Sequence, residues 1–233
     1  MKTVDAKITI DVWSDFVCPW CWIAKKRFEK ALDKFEHSGS VVVNHYSYRI
    51  GRNMRPLPFP EALIQKLGSS ANADMMMKQV SNAGLSEGLV YNFESMLFGD
   101  TSKAHALTIA AREMGLGEQM AERLFFASTT EGRSIFDKEE LVQLAKEVGV
   151  NEQKARSILD DDSKRDIVDR EESKAHSIGV RGVPFFLINK KFAISGAQPT
   201  EQFLNALNRS WKENQITETT NSEQICDESG CKI

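Results

Sequence analysis

The sequence has 233 residues, of which 41% are hydrophobic and 27% are charged, and its formal net charge is −3. These proportions are ordinary for a globular protein, and the weak acidity gives no electrostatic basis for binding nucleic acid or an anionic membrane. No apolar run has the length of a membrane span, and the first residues lack the apolar segment of a secretory signal, so we expect a cytoplasmic protein.

The first predicted element is a short strand that leads into a pair of cysteines. Residues 8–13 alternate in the pattern of a β-strand, and Cys18-Pro19-Trp20-Cys21 then opens a helix. Pro19 suits the first helical turn, so Cys18 lies where helix N–H groups and the helix dipole favour a thiolate. Cys21 follows one turn later on the same face and can close a disulfide. This spacing is typical of redox chemistry; half a zinc site or an inert structural pair are the alternatives.

A helix over residues 23–35 and a strand over residues 41–48 complete a β-α-β unit. The second strand begins with three valines, as a buried parallel strand does, and the crossover is expected to be right-handed. His45 lies on this strand, where an ordinary core or edge histidine is the expected interpretation.

Three prolines between residues 56 and 60 separate this unit from a block that shows helical spacing throughout. Within that block, Met75–Met77 fit either core packing or an adaptable apolar groove, and we expect core packing. The predicted helices are Glu61–Leu67, Ala73–Ala83, Ser102–Met114, Glu118–Ala127, Lys138–Val148, Glu152–Leu159 and Lys164–Ser177.

Strand character returns near the end of the chain. Residues 184–189 and 192–195 predict a hairpin, and a last helix is predicted from Thr200 to Trp211. Residues 213–233 contain five acids, one lysine and few apolar side chains, which indicates a flexible tail.

The order β-α-β, helical block, β-β-α predicts an α/β protein in which both ends join one four-stranded mixed sheet with helices on both faces. The predicted domains are a discontinuous α/β domain of residues 1–56 and 178–212, an all-helical insertion of residues 57–177, and the tail of residues 213–233.

This order, with Cys-Pro-Trp-Cys after the first strand, resembles a thioredoxin fold that carries a helical insertion, as in the DsbA family. Residues 179–186 (GVRGVPFF) resemble the Gly-Val-Pro segment of that family, whose proline is cis and lies beside the active-site disulfide. The resemblance implies that Val183 and Pro184 contact the substrate that reaches Cys18, because the backbone there can pair with an extended chain.

Within the family, the chain is most similar to the FrnE-type proteins over about residues 7–211. The motifs that carry this similarity are residues 15–21 (DFVCPWC), 104–105 (AH), 130–133 (TEGR) and 194–198 (ISGAQ). By the same resemblance His105 faces the active site, although the sequence alone favours a buried helix histidine. The family often has Asn-Thr where Asp100-Thr101 stands, which would place an extra acid near Cys18 if that segment lines the site.

The cysteines near the end of the chain resemble the second, CX4C pair of some FrnE-type proteins. Cys226 and Cys231 can close a disulfide if the intervening loop folds back. We treat an electron relay between this pair and Cys18/Cys21 as a hypothesis.

Together these features predict a cytosolic thiol–disulfide oxidoreductase that catalyses disulfide exchange or isomerisation. The expected partners are protein or small-molecule thiols and disulfides and a cellular thiol reductant. No resident metal or cofactor is expected, and glutathione is a candidate thiol partner. A monomer or a weak homodimer is expected.

Two other classes stay open. Kappa-class glutathione transferases and hydroxychromene-carboxylate isomerases resemble the same scaffold but have serine where Cys18 stands. Four thiolates from the two cysteine pairs would also suffice for a zinc site, and some DsbA-like proteins act as protease adaptors.

Overall fold

The computed structural model describes residues 8–222, which form a mixed sheet and a helical insertion. The strands are β1 (Ile8–Ser14), β2 (Val41–Ser47), β3 (Leu57–Pro58), β4 (Leu97–Phe98), β5 (Phe185–Ile188) and β6 (Phe192–Ser195). The helices are α1 (Pro19–Lys34), α2 (Phe59–Leu67), α3 (Ser70–Leu85), α4 (Ser102–Glu113), α5 (Gly117–Phe126), α6 (Lys138–Glu147), α7 (Glu152–Asp160), α8 (Asp162–Ser177) and α9 (Thr200–Ser222). No helix among the described residues is long and apolar enough to cross a membrane.

The two ends of the described chain build one four-stranded sheet in the order β2-β1-β5-β6. Strands β1 and β2 are parallel, with Ile8 opposite Val41, and β5 is antiparallel to both β1 and β6. The predicted mixed sheet, the β-α-β unit and the C-terminal hairpin are therefore confirmed.

The side chains of β1 point alternately to the two faces of this sheet, and each face carries part of the core. Ile10 and its neighbours on the same face pack with Phe28 of α1 and Phe203 of α9. Trp13 points to the other face, where it packs with Ala175 of α8, and its indole N–H donates to a backbone carbonyl of α8 at 3.2 Å. Because side chains of a strand alternate in direction, this short run is buried on both faces.

The insertion between β2 and β5 is largely helical, but it also contains a β-ribbon. Strands β3 and β4 pair antiparallel, with Leu57 opposite Phe98. The prediction of an all-helical insertion is wrong at this point, because strands of two residues are too short to show a period in the sequence. Helix α5 continues into a π-helical turn, Ala127–Glu131.

The last helix is longer than predicted. It continues from Trp211 to Ser222, so the predicted end of the helix at Trp211 is wrong. No glycine or proline interrupts this segment. Asn189 donates to Asn214 at 3.3 Å, and Arg209 pairs with Glu213 at 3.2 Å, so side-chain contacts support the turn beyond Trp211.

Asn189 connects the β5–β6 turn to both β1 and α9, and its replacement is the most informative stability test of the sheet. Its side chain accepts the Thr9 N–H at 2.8 Å and donates to Ser210 at 2.7 Å, and its φ is 49°. We expect Asn189→Ala to lower the free energy of unfolding by about 1–3 kcal/mol, because the half-buried Thr9 N–H loses its acceptor and alanine is strained at this φ. Asn189→Gly loses the same hydrogen bonds but avoids the strain at this φ. Its urea midpoint should therefore lie between those of wild type and Asn189→Ala. An unchanged midpoint for Asn189→Ala would contradict this account.

Candidate active site

Cys18 lies at the N-terminus of α1, as predicted. It is the N-cap residue, Pro19 follows as the first helical residue, and the Cys18 N–H donates to the Asp15 carbonyl at 3.1 Å. The Cys18 Sγ lies 3.7 Å from the Val183 carbonyl oxygen, within reach of an S–H donor. The Val183–Pro184 peptide bond is cis, as the family resemblance implies. The structure therefore brings together the CxxC turn and the Gly-Val-Pro segment, which lie 165 residues apart in sequence.

Cys21 lies behind Cys18 and is almost fully buried. Its side chain is 2% exposed against 7% for Cys18, its N–H donates to the Cys18 carbonyl at 2.9 Å, and both residues are free thiols. Burial raises the pKa of the Cys21 thiol well above its usual range, and the neighbouring Cys18 sulfur raises it further. The two sulfurs are thus unequal, and the more accessible one is at the helix terminus.

This inequality predicts that Cys21 alkylates slowly. In the fully reduced protein near pH 8, we expect iodoacetamide to modify Cys21 at least about tenfold more slowly than it modifies glutathione. Each pKa unit lowers the thiolate fraction tenfold, and burial also restricts access. Mass spectrometry of the Cys21 peptide against time measures the rate, with denatured protein as the control. A rate equal to that of glutathione would contradict the inferred pKa shift.

A buried polar cluster lies beneath the CxxC turn. The Asp15 carboxylate is fully buried and accepts hydrogen bonds from the Thr101 hydroxyl and the Ile50 N–H, each at 2.7 Å. The His105 Nε2 lies 3.6 Å from Asp15, and the His105 ring packs 4.7 Å from that of Phe16. His105 is therefore both a buried helix histidine, as its sequence position predicts, and a neighbour of the active site, as the resemblance implies.

Sequence reasoning missed two residues of this site, Asp15 as a hydrogen-bonding centre and Tyr91. The Tyr91 hydroxyl donates to the Pro19 carbonyl at 2.8 Å, which ties the CxxC turn to the insertion. Burial raises the pKa of Tyr91, and negative charge on Cys18 or Cys21 would raise it further. Of the two, only Asp15 had a signal in the sequence, because it belongs to the motif of residues 15–21 that carries the family resemblance.

The carboxylate of Asp100, the acid that departs from the family pattern, lies at the start of α4. It accepts the Ser102 N–H, the first of that helix, at 2.8 Å and the Asn53 N–H at 2.6 Å. These donors, with Arg49, lower the pKa of Asp100 although burial acts in the opposite direction. Within the described residues, Asp100 lines neither of the two cavities at the cysteines.

Each cysteine opens to its own cavity. The cavity at Cys18, here called the Cys18 groove, has a volume of about 570 Å³, and the cavity at Cys21, here called the Cys21 cavity, has about 400 Å³. Besides Cys18 and its helix, the Cys18 groove is lined by Tyr48, Arg49, Ile50, Met54, Phe59, Ala62, Leu63, Gln65, Lys66, Met76, Phe98, Arg181, Gly182 and Val183. Trp20 also lines this groove and is half-buried. The core-packing interpretation of the methionine run is wrong for Met75, which is 57% exposed. It is confirmed for Met76 and Met77, which are partly buried against a core cluster, and Met76 also lines the groove.

The second cysteine pair, Cys226 and Cys231, lies outside the described residues, so the relay between the two pairs stays a prediction.

A four-stranded sheet in this order, with a CxxC pair at the start of the first helix and a cis proline beside it, defines a thioredoxin fold with a helical insertion. Residues 9–208 match the DSBA-like thioredoxin domain, and the chain belongs to that family.

Solved structures and a sequence relative agree with this assignment. A probable DsbA oxidoreductase from Streptomyces coelicolor superimposes with a TM-score of 0.85 at 33% identity, over 88% of this chain and 91% of that one. The cytosolic disulfide reductase DsbM from Pseudomonas aeruginosa, which was also solved with GSH, shares the fold with a TM-score of 0.58 at 20% identity, over 92% of this chain and 98% of that one. The uncharacterized protein YwbO of Bacillus subtilis is 26% identical over 202 residues, which are 86% of this chain and 96% of that protein. The chain thus has the fold of DsbA-type oxidoreductases.

Proposed function

We propose that this chain is a thiol–disulfide oxidoreductase in which Cys18 attacks and Cys21 resolves. The observation that carries the proposal is the position of the Cys18 sulfur at the N-terminus of α1, 3.7 Å from the Val183 carbonyl and open to the Cys18 groove, with Cys21 buried behind it. Helix N–H groups and the helix dipole favour the nucleophilic thiolate at this position.

The reaction conserves atoms and electrons without a cofactor. The Cys18 thiolate attacks one sulfur of a substrate disulfide, that S–S bond breaks, and the departing sulfur leaves as a thiolate that takes a proton. Cys21 then loses its proton and attacks the Cys18 sulfur of the mixed disulfide, which releases the second substrate thiol. The substrate gains two electrons and Cys18–Cys21 becomes a disulfide; the reverse sequence oxidises a substrate dithiol.

The Cys18 groove suits an extended polypeptide or a small thiol. Its walls combine apolar side chains such as Phe59, Leu63 and Met76 with the basic groups Lys66 and Arg181. The apolar walls favour an unfolded or extended substrate, whose backbone would pair beside Val183, and the basic groups favour carboxylates such as those of glutathione. We propose protein or small-molecule disulfides as substrates and glutathione as the thiol that returns the enzyme to its reduced form.

The proposal extends to the compartment in which the enzyme works and to the direction of its redox reaction. We infer a cytosolic enzyme that works as a reductase or isomerase, in line with the cytosolic disulfide reductase that shares its fold. Thiol pairs in a reducing compartment are more often catalytic than structural.

The deciding experiment is a redox titration of the full chain. Wild type and Cys18→Ser are equilibrated across buffers of reduced and oxidised glutathione, the thiols are alkylated, and the Cys18–Cys21 peptide is quantified by mass spectrometry. We expect a reversible two-electron transition in wild type that is lost in Cys18→Ser. If no Cys18–Cys21 disulfide forms even in the most oxidising buffer, the proposed chemistry is wrong.

The alternatives give different outcomes in the same samples. A glutathione transferase of the kappa type would conjugate glutathione to an electrophile without forming the intramolecular disulfide. A zinc protein would retain about one equivalent of zinc after purification under reducing conditions, and its Cys18→Ser variant would lose that metal.

A further inference from the structure

The Cys21 cavity is a second opening to the active site, separate from the Cys18 groove. It lies between the sheet face that carries Val12 and the helices α1, α4 and α5, and Cys21 and Pro184 are among the residues that line it. Cys18 lines only the groove and Cys21 lines only this cavity. A molecule in the cavity would therefore contact Cys21 without entering the groove that opens to Cys18.

The size and walls of this cavity match those of small-molecule sites. Its volume is about 400 Å³, within the range of ligand pockets, and a cavity of about 150 Å³ already accepts benzene. Four phenylalanine rings contribute to its walls: Phe16, Phe28, Phe125 and Phe186. Space and aromatic surface together favour a flat molecule of about two rings.

The charged side chains that line the cavity already have partners. Lys25 contacts Glu118 and lies 3.1 Å from Glu122, and these carboxylates raise the pKa of Lys25 although burial opposes the charge. Arg112 donates to the His45 carbonyl and lies 3.3 Å from a carboxylate oxygen of α8.

Both histidines that line the cavity lie close to carboxylates. His45 lies on the edge strand with its Nε2 3.7 Å from Glu118, and burial lowers its pKa, with Lys25 and Arg112 lowering it further. The buried His105 Nε2 faces the Asp15 carboxylate at 3.6 Å. A charged occupant would lose its hydration without gaining an unpaired counter-ion, so the cavity selects against charge.

We propose that the Cys21 cavity binds a neutral, aromatic small molecule of about two rings that carries at most a single hydroxyl or carbonyl group. The hydroxyls of Ser14 and Thr108 line the cavity and offer hydrogen-bond partners for that group.

A molecule bound in the Cys21 cavity would slow only the second half of the reaction, in which Cys21 attacks the mixed disulfide. This consequence rests on the proposed function: a ligand against Cys21 keeps water from its sulfur and slows its attack on the mixed disulfide, whereas Cys18 still reacts through the groove. The binding itself does not depend on turnover, so it can be tested whether or not the chain exchanges disulfides.

The test is a titration of reduced wild type with 2-naphthol, which is neutral at pH 7, followed by methyl NMR. We expect saturable shifts at Val12, Val43 and Ala121, which line the cavity, and none at Leu63 or Met76 in the groove. Naphthalene-2-sulfonate, the charged counterpart of similar shape, should bind at least about a hundredfold more weakly. Shifts confined to the groove, or equal affinity for both probes, would overturn the proposal, and so would the absence of binding.

A matched pair of variants supplies the control. Ala121→Phe places a ring within the cavity and should abolish the shifts at Val12 and Val43. Ala193→Phe puts the same ring on an exposed position of β6 and should leave the affinity unchanged. If Ala121→Phe fails to fold, the wild-type comparison of the two probes still decides the question.

Discussion

The Cys21→Ser variant is expected to accumulate a long-lived mixed disulfide between Cys18 and a substrate thiol. When the variant is treated with oxidised glutathione or a disulfide-containing peptide, Cys18 should still attack, but no neighbouring thiol of the CxxC turn remains to release the adduct. The Cys21 N–H lies 2.9 Å from the Cys18 carbonyl, which keeps the two residues within one helical turn. An intramolecular thiol held this way acts at an effective concentration far above millimolar.

The lifetime of the adduct gives the size of the effect. With about 1 mM glutathione as the competing thiol, we expect the adduct of Cys21→Ser to persist at least about a hundredfold longer than that of wild type. Intact-mass spectrometry after acid quenching measures the adduct against time. Cys18→Ser is the matched control and should form no adduct at residue 21, because the Cys21 thiol is buried and its pKa is raised.

The tail cysteines require a second pair of samples. In one, Cys21→Ser is combined with serine at Cys226 and Cys231; in the other, the tail is left intact. A shorter adduct lifetime with the tail intact would support the predicted relay between the two pairs. If the adduct of the tail-free variant is as short-lived as in wild type, Cys21 is not the resolving thiol and the assignment of roles is wrong.

The parts of this protein that could be predicted from its sequence are those specified by local patterns. The alternation of residues 8–13, the proline after Cys18 and the valines that begin β2 each report on their own segment, and the structure has the β-α-β unit that they predict. The predicted helices of the insertion are also present, with ends that differ by a few residues. Val183 and Pro184 required the family resemblance, because an isolated X-Pro pair says little about its isomer.

The features that could not be predicted from the sequence depend on contacts between segments that are far apart in the chain. Thr101 lies 86 residues from Asp15, and neither residue type alone indicates that the two hydrogen-bond in the interior. The Cys21 cavity is lined by residues from β1, β2, β5, α1, α4 and α5, and no local periodicity in the sequence shows that these elements enclose a space. The composition of residues 213–222 predicted a flexible tail, but it did not reveal the contact between Asn189 and Asn214.

Arg49 at the end of β2 is a further residue that sequence reasoning did not single out. Its side chain is 1% exposed, and its guanidinium lies 2.5 Å from Glu172, contacts Asp169 and donates to Ser102 at 2.7 Å. Although burial opposes its charge, the hydrogen bonds that Arg49 donates to these carboxylates, and their negative charge, raise the pKa of Arg49, so it stays protonated. The cluster ties β2 to α8 and α4 next to the Cys18 groove, which Arg49 also lines.

Arg49→Met is therefore expected to be strongly destabilising. It leaves the Glu172 carboxylate, 3% exposed, without its main counter-ion, and breaking such a buried pair costs about 3–5 kcal/mol. For a chain of this size the melting temperature should fall by roughly 10 °C. Arg52→Met removes the same charge from a half-exposed side chain that also contacts Asp169 and Glu172, and its cost should stay below about 1 kcal/mol.

Calorimetry of four proteins separates the lost ion pair from a general packing defect: wild type, the two single variants, and the double variant Arg49→Met/Glu172→Leu. Removing both partners leaves no orphaned charge, so the double variant should regain much of the stability that Arg49→Met loses. The interpretation fails if Arg49→Met is no less stable than Arg52→Met. A double variant that is less stable than Arg49→Met would show instead that the cluster, rather than its unpaired carboxylate, holds α8 against the sheet.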